Sequence, residues 1–297
     1  MDKNKQTKST IRDFNTISSS AKSLLLMKGY TNIPYARQTA ELLKYPEKYT
    51  PDFGNKDFMF WARTLHFEDS YWSLDDLIRN LNIKNILELS SGFSFRGLDT
   101  SKKKGFYYID TDLPLVIEEK KIFIPTLENK NENFSGTLEL LPLNALDAEQ
   151  FQEVVTHFPA GEIVIVNEGL LIYLDTDEKE KLCGIIHKIL KQRGGYWITT
   201  DIYIKNHFEK TDLKIDKDTS DFLEQHKIEE NKFNSFDEAE EFFKRMGFEI
   251  DKEAKADPEK LSSLKYILNG NIEENFAAYL SFPKMRKTWR LKLHKIE

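Results

Sequence analysis

Apolar residues are spaced in two different ways along this chain, and the change comes near residue 82. From Ser18 to about Leu81 the spacing is helical, with apolar groups such as Leu24, Leu25, Leu26 and Met27 and turn signals at Gly29 and Pro34. Short β-rich runs follow at Asn85–Leu89, Phe106–Ile109, Leu138–Leu143, Glu162–Val166 and Tyr196–Asp201. Helical stretches of roughly 15–30 residues separate them, the alternation that builds βαβ units and a parallel sheet. One of these helices starts at Asp175-Thr-Asp-Glu178, a capping-box variant. Behind it Leu182, Ile185, Ile186, Ile189 and Leu190 form one apolar face, and Gly194-Gly195 ends it. A second opens at Ser235-Phe-Asp-Glu238, buries Ala239, Phe242, Phe243 and Met246, and stops at Gly247.

Two further runs, Phe248–Lys252 and Thr288–His294, bring the expected strands to seven. The expectation is an α/β fold: a seven-stranded, mostly parallel, Rossmann-like sheet with helices on both faces and the last strand antiparallel. Residues 1–17 are polar and expected to fray, 18–84 form a helical N-terminal segment, and 85–297 form the core. The stretch from about 203 to 234 is polar and poorly periodic, and it reads as an insertion over the sheet edge, a lid.

Composition narrows the class. Hydrophobic residues make up 40% of the 297, enough for a sizeable core, and a mean hydropathy of −0.54 describes a hydrated surface. The longest apolar runs, such as Ile163–Val166, fall far short of the roughly 20 residues a membrane helix requires. The opening Met1-Asp-Lys-Asn-Lys-Gln lacks the apolar core of a secretory signal, so a cytoplasmic setting is expected. The single cysteine, Cys183, excludes an intrachain disulfide and lies on the apolar side of its helix. No histidine spacing matches a metal site, and no metal is expected. A net charge of −6 is a poor match to a nucleic-acid binder. The basic C-terminal run, in which Trp289, Leu291 and Leu293 alternate with Arg290, Lys292 and His294, reads as a strand with one solvated face.

In an open α/β sheet ligands sit beyond the carboxyl ends of the strands. There the chain carries Glu88-Leu-Ser-Ser-Gly-Phe-Ser-Phe-Arg-Gly97, then Ile109-Asp-Thr-Asp-Leu-Pro114, then Asn144-Ala-Leu-Asp147, then Asn167-Glu-Gly-Leu-Leu-Ile-Tyr173. A dinucleotide fingerprint fails: aligned from Ser90, its three glycine positions hold Ser90, Gly92 and Phe95. A phosphate-free nucleoside fits better. Gly92 lets the backbone pass close, Glu88 ends the first strand, and Asp112 ends the second, where a carboxylate can accept both ribose hydroxyls. This describes an adenosine site without a diphosphate, as S-adenosylmethionine requires.

These loops resemble those of class I S-adenosylmethionine-dependent methyltransferases, and most nearly the leucine carboxyl methyltransferase family with its polyketide-type O-methyltransferases. The resemblance is carried by Ser18-Ser-Ser-Ala-Lys22 with Gly29-Tyr30 and Pro34-Tyr35, by Phe60-Trp-Ala-Arg63, by Tyr108-Ile-Asp-Thr-Asp112-Leu-Pro114, and by Glu168-Gly-Leu-Leu-Ile-Tyr-Leu174. It runs from about Ser18 to Leu174. It implies that Lys22 and Arg63 bind the cofactor's methionine carboxylate, that Gly92 and Glu88 lie against the cofactor, and that Asp112 holds the ribose. Asn144 and Ala145 would frame the adenine, and Glu168 would sit at the methionyl end.

The sequence departs from the family pattern at Ser90 and Ser91, where Gly-x-Gly is usual, and at Asn144, which replaces an acid; Ser94 stands where other methyltransferases often have a third glycine. Asp147 is the alternative if the register there is shifted. The activity implied is methyl transfer to a carboxylate or hydroxyl of a small molecule. Methylation of a peptide or protein C-terminus, or a cofactor-binding module without catalysis, are the alternatives. On the acceptor side the candidates are Tyr173, Tyr203, His207 and Asp201, with Tyr30, Phe58, Phe60 and Trp61 as possible walls. A carboxylate acceptor needs no general base, whereas a hydroxyl does. Neither a nucleic-acid nor a membrane partner is expected.

Overall fold

The computed structural model describes residues 18–43, 54, 56–128, 133–205, 217–267 and 284–294, with side chains from 21 onward in the first segment and from 221 in the fifth. Three helices come first: α1 (Ser18–Lys28), α2 (Ala36–Leu42) and α3 (Phe58–Arg79). Strands and helices then alternate as β1 (Asn85–Leu89), α4 (Arg96–Thr100), β2 (Tyr107–Asp112), α5 (Pro114–Leu127), β3 (Thr137–Pro142), α6 (Ala148–Thr156), β4 (Ile163–Asn167), α7 (Thr176–Arg193) and β5 (Gly195–Tyr203). The chain closes with α8 (Lys217–Gln225), α9 (Phe236–Arg245), β6 (Phe248–Glu253) and β7 (Arg286–Leu293).

The seven strands form one sheet, as expected from the alternation of runs, and their order is β3-β2-β1-β4-β5-β7-β6. Strands β1 to β5 pair in parallel, and β7 enters antiparallel between β5 and β6. The order reverses between β1 and β4, which places the switch point, and so the crevice, at the ends of these two strands. Both are buried at every position, which a two-faced sheet demands. Their side chains alternate between layers. Leu87, Leu89, Ile163, Ile165 and Trp197 pack towards α6, α7 and α9, while Ile86, Val164, Val166 and Ile198 pack towards Leu74 and Leu77 of α3.

Helix starts follow their local chemistry. Asp175 and Glu178 complete the reciprocal capping box of α7. At α9 the Ser235 hydroxyl accepts from Glu238 N, but the Glu238 carboxylate reaches Asn234 N, one residue earlier than a standard box. The stretch read as poorly periodic holds a helix, α8, whose two apolar residues, Phe222 and Leu223, pack with Tyr173 and Ile228. The alternating basic strand β7 is explained by its neighbour: Arg290 pairs with Asp251, Lys292 with Glu249 and Asp251, and His294 with Glu249. The basic face is thus neutralised by β6, cross-strand, while Trp289 and Leu291 are buried. Cys183 is fully buried and its thiol is pushed up by that burial, as an inert core residue would be. Among the described residues no helix is long and apolar enough to cross a membrane.

Gly195 opens β5 at φ +104, opposite Ile163 in the register, and an added Cβ there would meet the Ile163 carbonyl oxygen at 1.9 Å. Neither the backbone conformation nor the space admits a side chain. Gly195→Ala is expected to destabilise the fold by about 3 kcal/mol or more, read as a lower urea midpoint at unchanged slope, whereas Gly184→Ala in open space on α7 should not.

Candidate functional site

A cavity of about 570 Å³ opens at the carboxyl ends of β1, β2 and β4, roofed by α1, α3 and the segment after α8. Of the residues singled out from sequence, Arg63, Glu88, Gly92, Asp112, Asn144, Ala145, Glu168, Tyr173 and Tyr203 all line it. His207 lies outside the described residues.

The β1–α4 turn forms its floor. Ser90 and Gly92 both adopt left-handed backbone, at φ +50 and φ +52. Gly92 takes this conformation freely, while Ser90 holds a strained one at a cost on the order of 1 kcal/mol. What keeps the turn in shape is a set of contacts to β2 and α5. Gly92 N donates to Asp112 Oδ2 at 2.7 Å, and Ser91 N donates to the Thr111 carbonyl at 3.0 Å. Lys120 Nζ, fully buried on α5, donates to Ser91 Oγ at 3.0 Å and pairs with Asp110 Oδ2 at 2.6 Å. Asp112 also accepts from Leu113 N at 2.7 Å, so each of its oxygens keeps a lone pair for a ligand. Burial raises the Asp112 carboxyl above its usual range, against the pull of these two amides.

Glu88 and Glu168 are joined through Arg96. This arginine, 1% exposed, lies over the Tyr71 ring at 3.8 Å and donates to the Tyr71 carbonyl at 3.1 Å. Its Nε stands 3.6 Å from Glu88 Oε1 and its Nη2 3.3 Å from Glu168 Oε2. The Tyr108 hydroxyl donates to Glu88 Oε2 at 2.8 Å, and burial raises the Glu88 carboxyl. Lys28 reaches Glu168 Oε1 at 2.6 Å. Burial opposes ionisation of Glu168, but Lys28 and Arg96 hold it below the ordinary carboxylate value.

Several expectations are corrected in place. Lys22 does not face the cavity; it pairs with Glu119 of α5 at 3.0 Å. The lining residues of α1 are Ala21, Ser23, Leu24, Leu25 and Lys28, while the Lys22 ammonium is drawn to α5 by its acidic partner. Asp147, the alternative to Asn144, is the N-cap of α6, accepting from Glu149 N and Gln150 N. Asn144 lines the cavity, but its Oδ1 already accepts from Leu146 N at 3.0 Å. Asp201 is not on the acceptor side. It is buried under the β4 turn, where it accepts from Gly169, Leu170 and Leu171 N at 2.6–3.0 Å and from Asn167 Nδ2 at 2.8 Å. Its role is to shape the turn that carries Glu168. Tyr30, Phe60 and Trp61 form an aromatic cluster with Tyr266, but these residues and Phe58 stand outside the cavity lining.

Other residues of the site left no mark in the reading of the sequence. Arg96, Lys28 and Lys120 look like ordinary helical cations, and only their partners distinguish them. His66 is another. It lies on the α3 stripe Met59, Arg63, His66, Phe67 and Ser70 that lines the cavity, and its Nε2 is 2.7 Å from the Tyr203 hydroxyl. Burial, with Arg286, Lys232, Lys28 and Arg63 nearby, lowers its pKa to about 3. The helical spacing of that stripe was a signal that could have found it. Among the described residues no cluster of acids, histidines and cysteine could hold a metal.

Two measurements check this network. Because the fold keeps His66 neutral to about pH 3 while the unfolded ring protonates near 6.5, the unfolded chain takes up the extra proton. Stability contributed here is therefore present above pH 6.5 and falls as the pH drops towards 3, by up to about 1.4 kcal/mol per pH unit. The His66 ring resonance should stay flat from pH 7.5 to 4.5, and a midpoint above 5.5 would contradict the arrangement. Lys120→Met strands Asp110 as a buried, unpaired charge and should cost about 3–5 kcal/mol in urea unfolding. Adding Asp110→Asn should recover part of that loss.

No family model matches the sequence, and no curated protein matches it. Among solved structures the chain is similar to a DUF574-family protein from Streptomyces avermitilis, with a TM-score of 0.52 and 11% identity over 92% of this chain and 97% of that one. It is also similar to a magnesium protoporphyrin IX methyltransferase from Synechocystis with bound SAH, with a TM-score of 0.46 and 8% identity over 82% of this chain and 90% of that one. A third is a mitomycin 7-O-methyltransferase, with a TM-score of 0.44 and 11% identity over 79% of this chain, which spans 57% of the length of that one. The first of these likenesses shows the fold shared across nearly the full length of both chains: an α/β sheet domain preceded by helices.

Proposed function

We propose that the chain is an S-adenosylmethionine-dependent methyltransferase acting on an oxygen of a small molecule, in a cytoplasmic setting. The observation that carries this reading is the gathering of Glu88, Asp112 and Glu168 from three strand ends around one cavity, over a turn that brings Gly92 N within 2.7 Å of Asp112. Carboxylates at these ends repel a diphosphate and suit a ligand that is cationic at one end and carries hydroxyls at the other. Leu113, Val116, Leu143, Ala145 and Leu146 supply an apolar slot for an adenine ring. Asp112 would take the ribose, and Glu168 the ammonium end, with Arg63 for the methionine carboxylate.

When bound, S-adenosylmethionine supplies an electrophilic methyl group on a neutral-leaving sulfur. The protein's part is then to align an acceptor oxygen with it and to keep water away. Apolar residues from α1, α3 and the segment after α8 wall the acceptor side, together with Tyr173 after β4 and Tyr203 at the end of β5. A leucine-carboxyl-type enzyme acting on a peptide terminus is a narrower form of this proposal. The strained serine at position 90 favours the second reading, a module that binds the cofactor without turnover.

Calorimetric titration of the purified chain with S-adenosylmethionine should show one site. Asp112→Ala should weaken it at least tenfold, through loss of a hydroxyl acceptor and of the Gly92 anchor. Absence of binding, or an unchanged affinity in the variant, would overturn the cofactor site. Binding without methyl transfer to any acid or phenol would favour the module.

A further inference from the structure

The polar groups of the cavity are sorted by sign. Its carboxylates stand at the ends of β1, β2 and β4, and the one nearest the roof, Glu168, is held by Lys28 and Arg96. The other two cationic residues of the lining, Arg63 and Lys232, come from the α3 stripe and from the segment after α8. Lys232 also pairs with Glu229, whose side chain is 56% exposed. Beside these cations sit His66 and Tyr203. With His66 neutral, the pair has two hydrogens, one N–H and one O–H. Its mutual bond uses one of them, so either tautomer leaves one donor to offer. The surroundings of this end are apolar, made by Met59, Phe67, Ile172, Phe222 and Ile228.

We propose that this end of the cavity takes an amphipathic carboxylic acid, its carboxylate seated between Arg63 and Lys232 beside the His66–Tyr203 pair and its apolar body against Phe67, Ile172 and Phe222. The inference rests on the methyltransferase reading for its chemistry and on the lining for its binding. A hydroxyl acceptor needs a base of suitable strength, and the two titratable groups paired at this end do not supply one: His66 is far too weak a base, and the Tyr203 hydroxyl is pushed up by burial. A carboxylate arrives already ionised. One of its oxygens forms the bond to the methyl carbon, and the methyl–sulfur bond breaks with its electron pair left on sulfur. No proton moves, and the products are a methyl ester and a neutral thioether. Arg63 is shared with the cofactor's carboxylate in the reading above, so Lys232 is the residue that separates acceptor binding from cofactor binding.

The test uses the full chain with decanoate and 2-naphthoate, against 1-decanol, 2-naphthol and decyl phosphate. Calorimetry without methyl donor reads the anion site directly, and labelled methyl transfer to an alkali-labile product reads ester formation. At least one of the acids should bind and be methylated. Lys232→Met should raise the KM for the acid at least tenfold, with kcat within about twofold and S-adenosylhomocysteine affinity unchanged. Lys232→Arg should restore most of the loss, which a merely structural role would not produce. Failure of both acids to bind, or preference for the alcohols or the phosphate, overturns the carboxylate assignment even if S-adenosylmethionine binds. Acid binding that depends on Lys232 in a chain that does not bind S-adenosylmethionine would keep the anion site and overturn the methyltransferase reading alone.

Discussion

One buried arginine holds the site together. Arg96, stacked on Tyr71 and bonded to its backbone carbonyl, stands between Glu88 at the end of β1 and Glu168 at the end of β4. These are the two strands between which the sheet reverses its order. Carboxylates buried without a counter-charge are driven towards their neutral forms. A guanidinium fixed between them by ring and carbonyl lets them share one counter-charge. Lys28 extends the same network to α1. The helical N-terminal segment is therefore bound to the sheet by charge at the point where a ligand would sit, and by apolar packing elsewhere.

A similar logic governs the β1–α4 turn. A turn rich in glycine would reach its left-handed conformation without help, but this one carries serines at positions 90 and 91. The shape is imposed by Asp112 on Gly92 and by Lys120 on Ser91, with Asp110 holding the lysine. On the other side of the switch point Asp201 does the same for the turn after β4, accepting three successive backbone amides. Carboxylates buried beneath the turns set the geometry of the carboxylates that face the cavity.

Much of the fold could be read along the chain because strand burial and helix amphipathicity are local patterns. All seven strands fall within a few residues of their β-rich runs, and α7 begins at its capping box. Helix α8 escaped because a helix that contributes only two apolar residues to a wall has no periodicity to show. In the site, residues at strand ends were legible, since strand register decides where they point. Residues on helices were not: choosing Lys22 over Lys28 is a matter of which face of α1 meets the sheet. Asp201 was misplaced for the same kind of reason, since a strand-end acid can face the crevice or turn under the adjacent loop.

By itself the sequence determined the alternation of strands and helices, the sheet class, and the placing of Glu88, Gly92, Asp112 and Glu168 at strand ends, because these follow from spacing and residue type within short windows. Only the tertiary structure decided which charges meet. The pairs Arg96 with Glu88, Lys28 with Glu168, Lys120 with Asp110 and His66 with Tyr203 join positions far apart in the chain. The free energy of a buried charge depends on what the fold places around it, and a linear order of residues does not contain that distance.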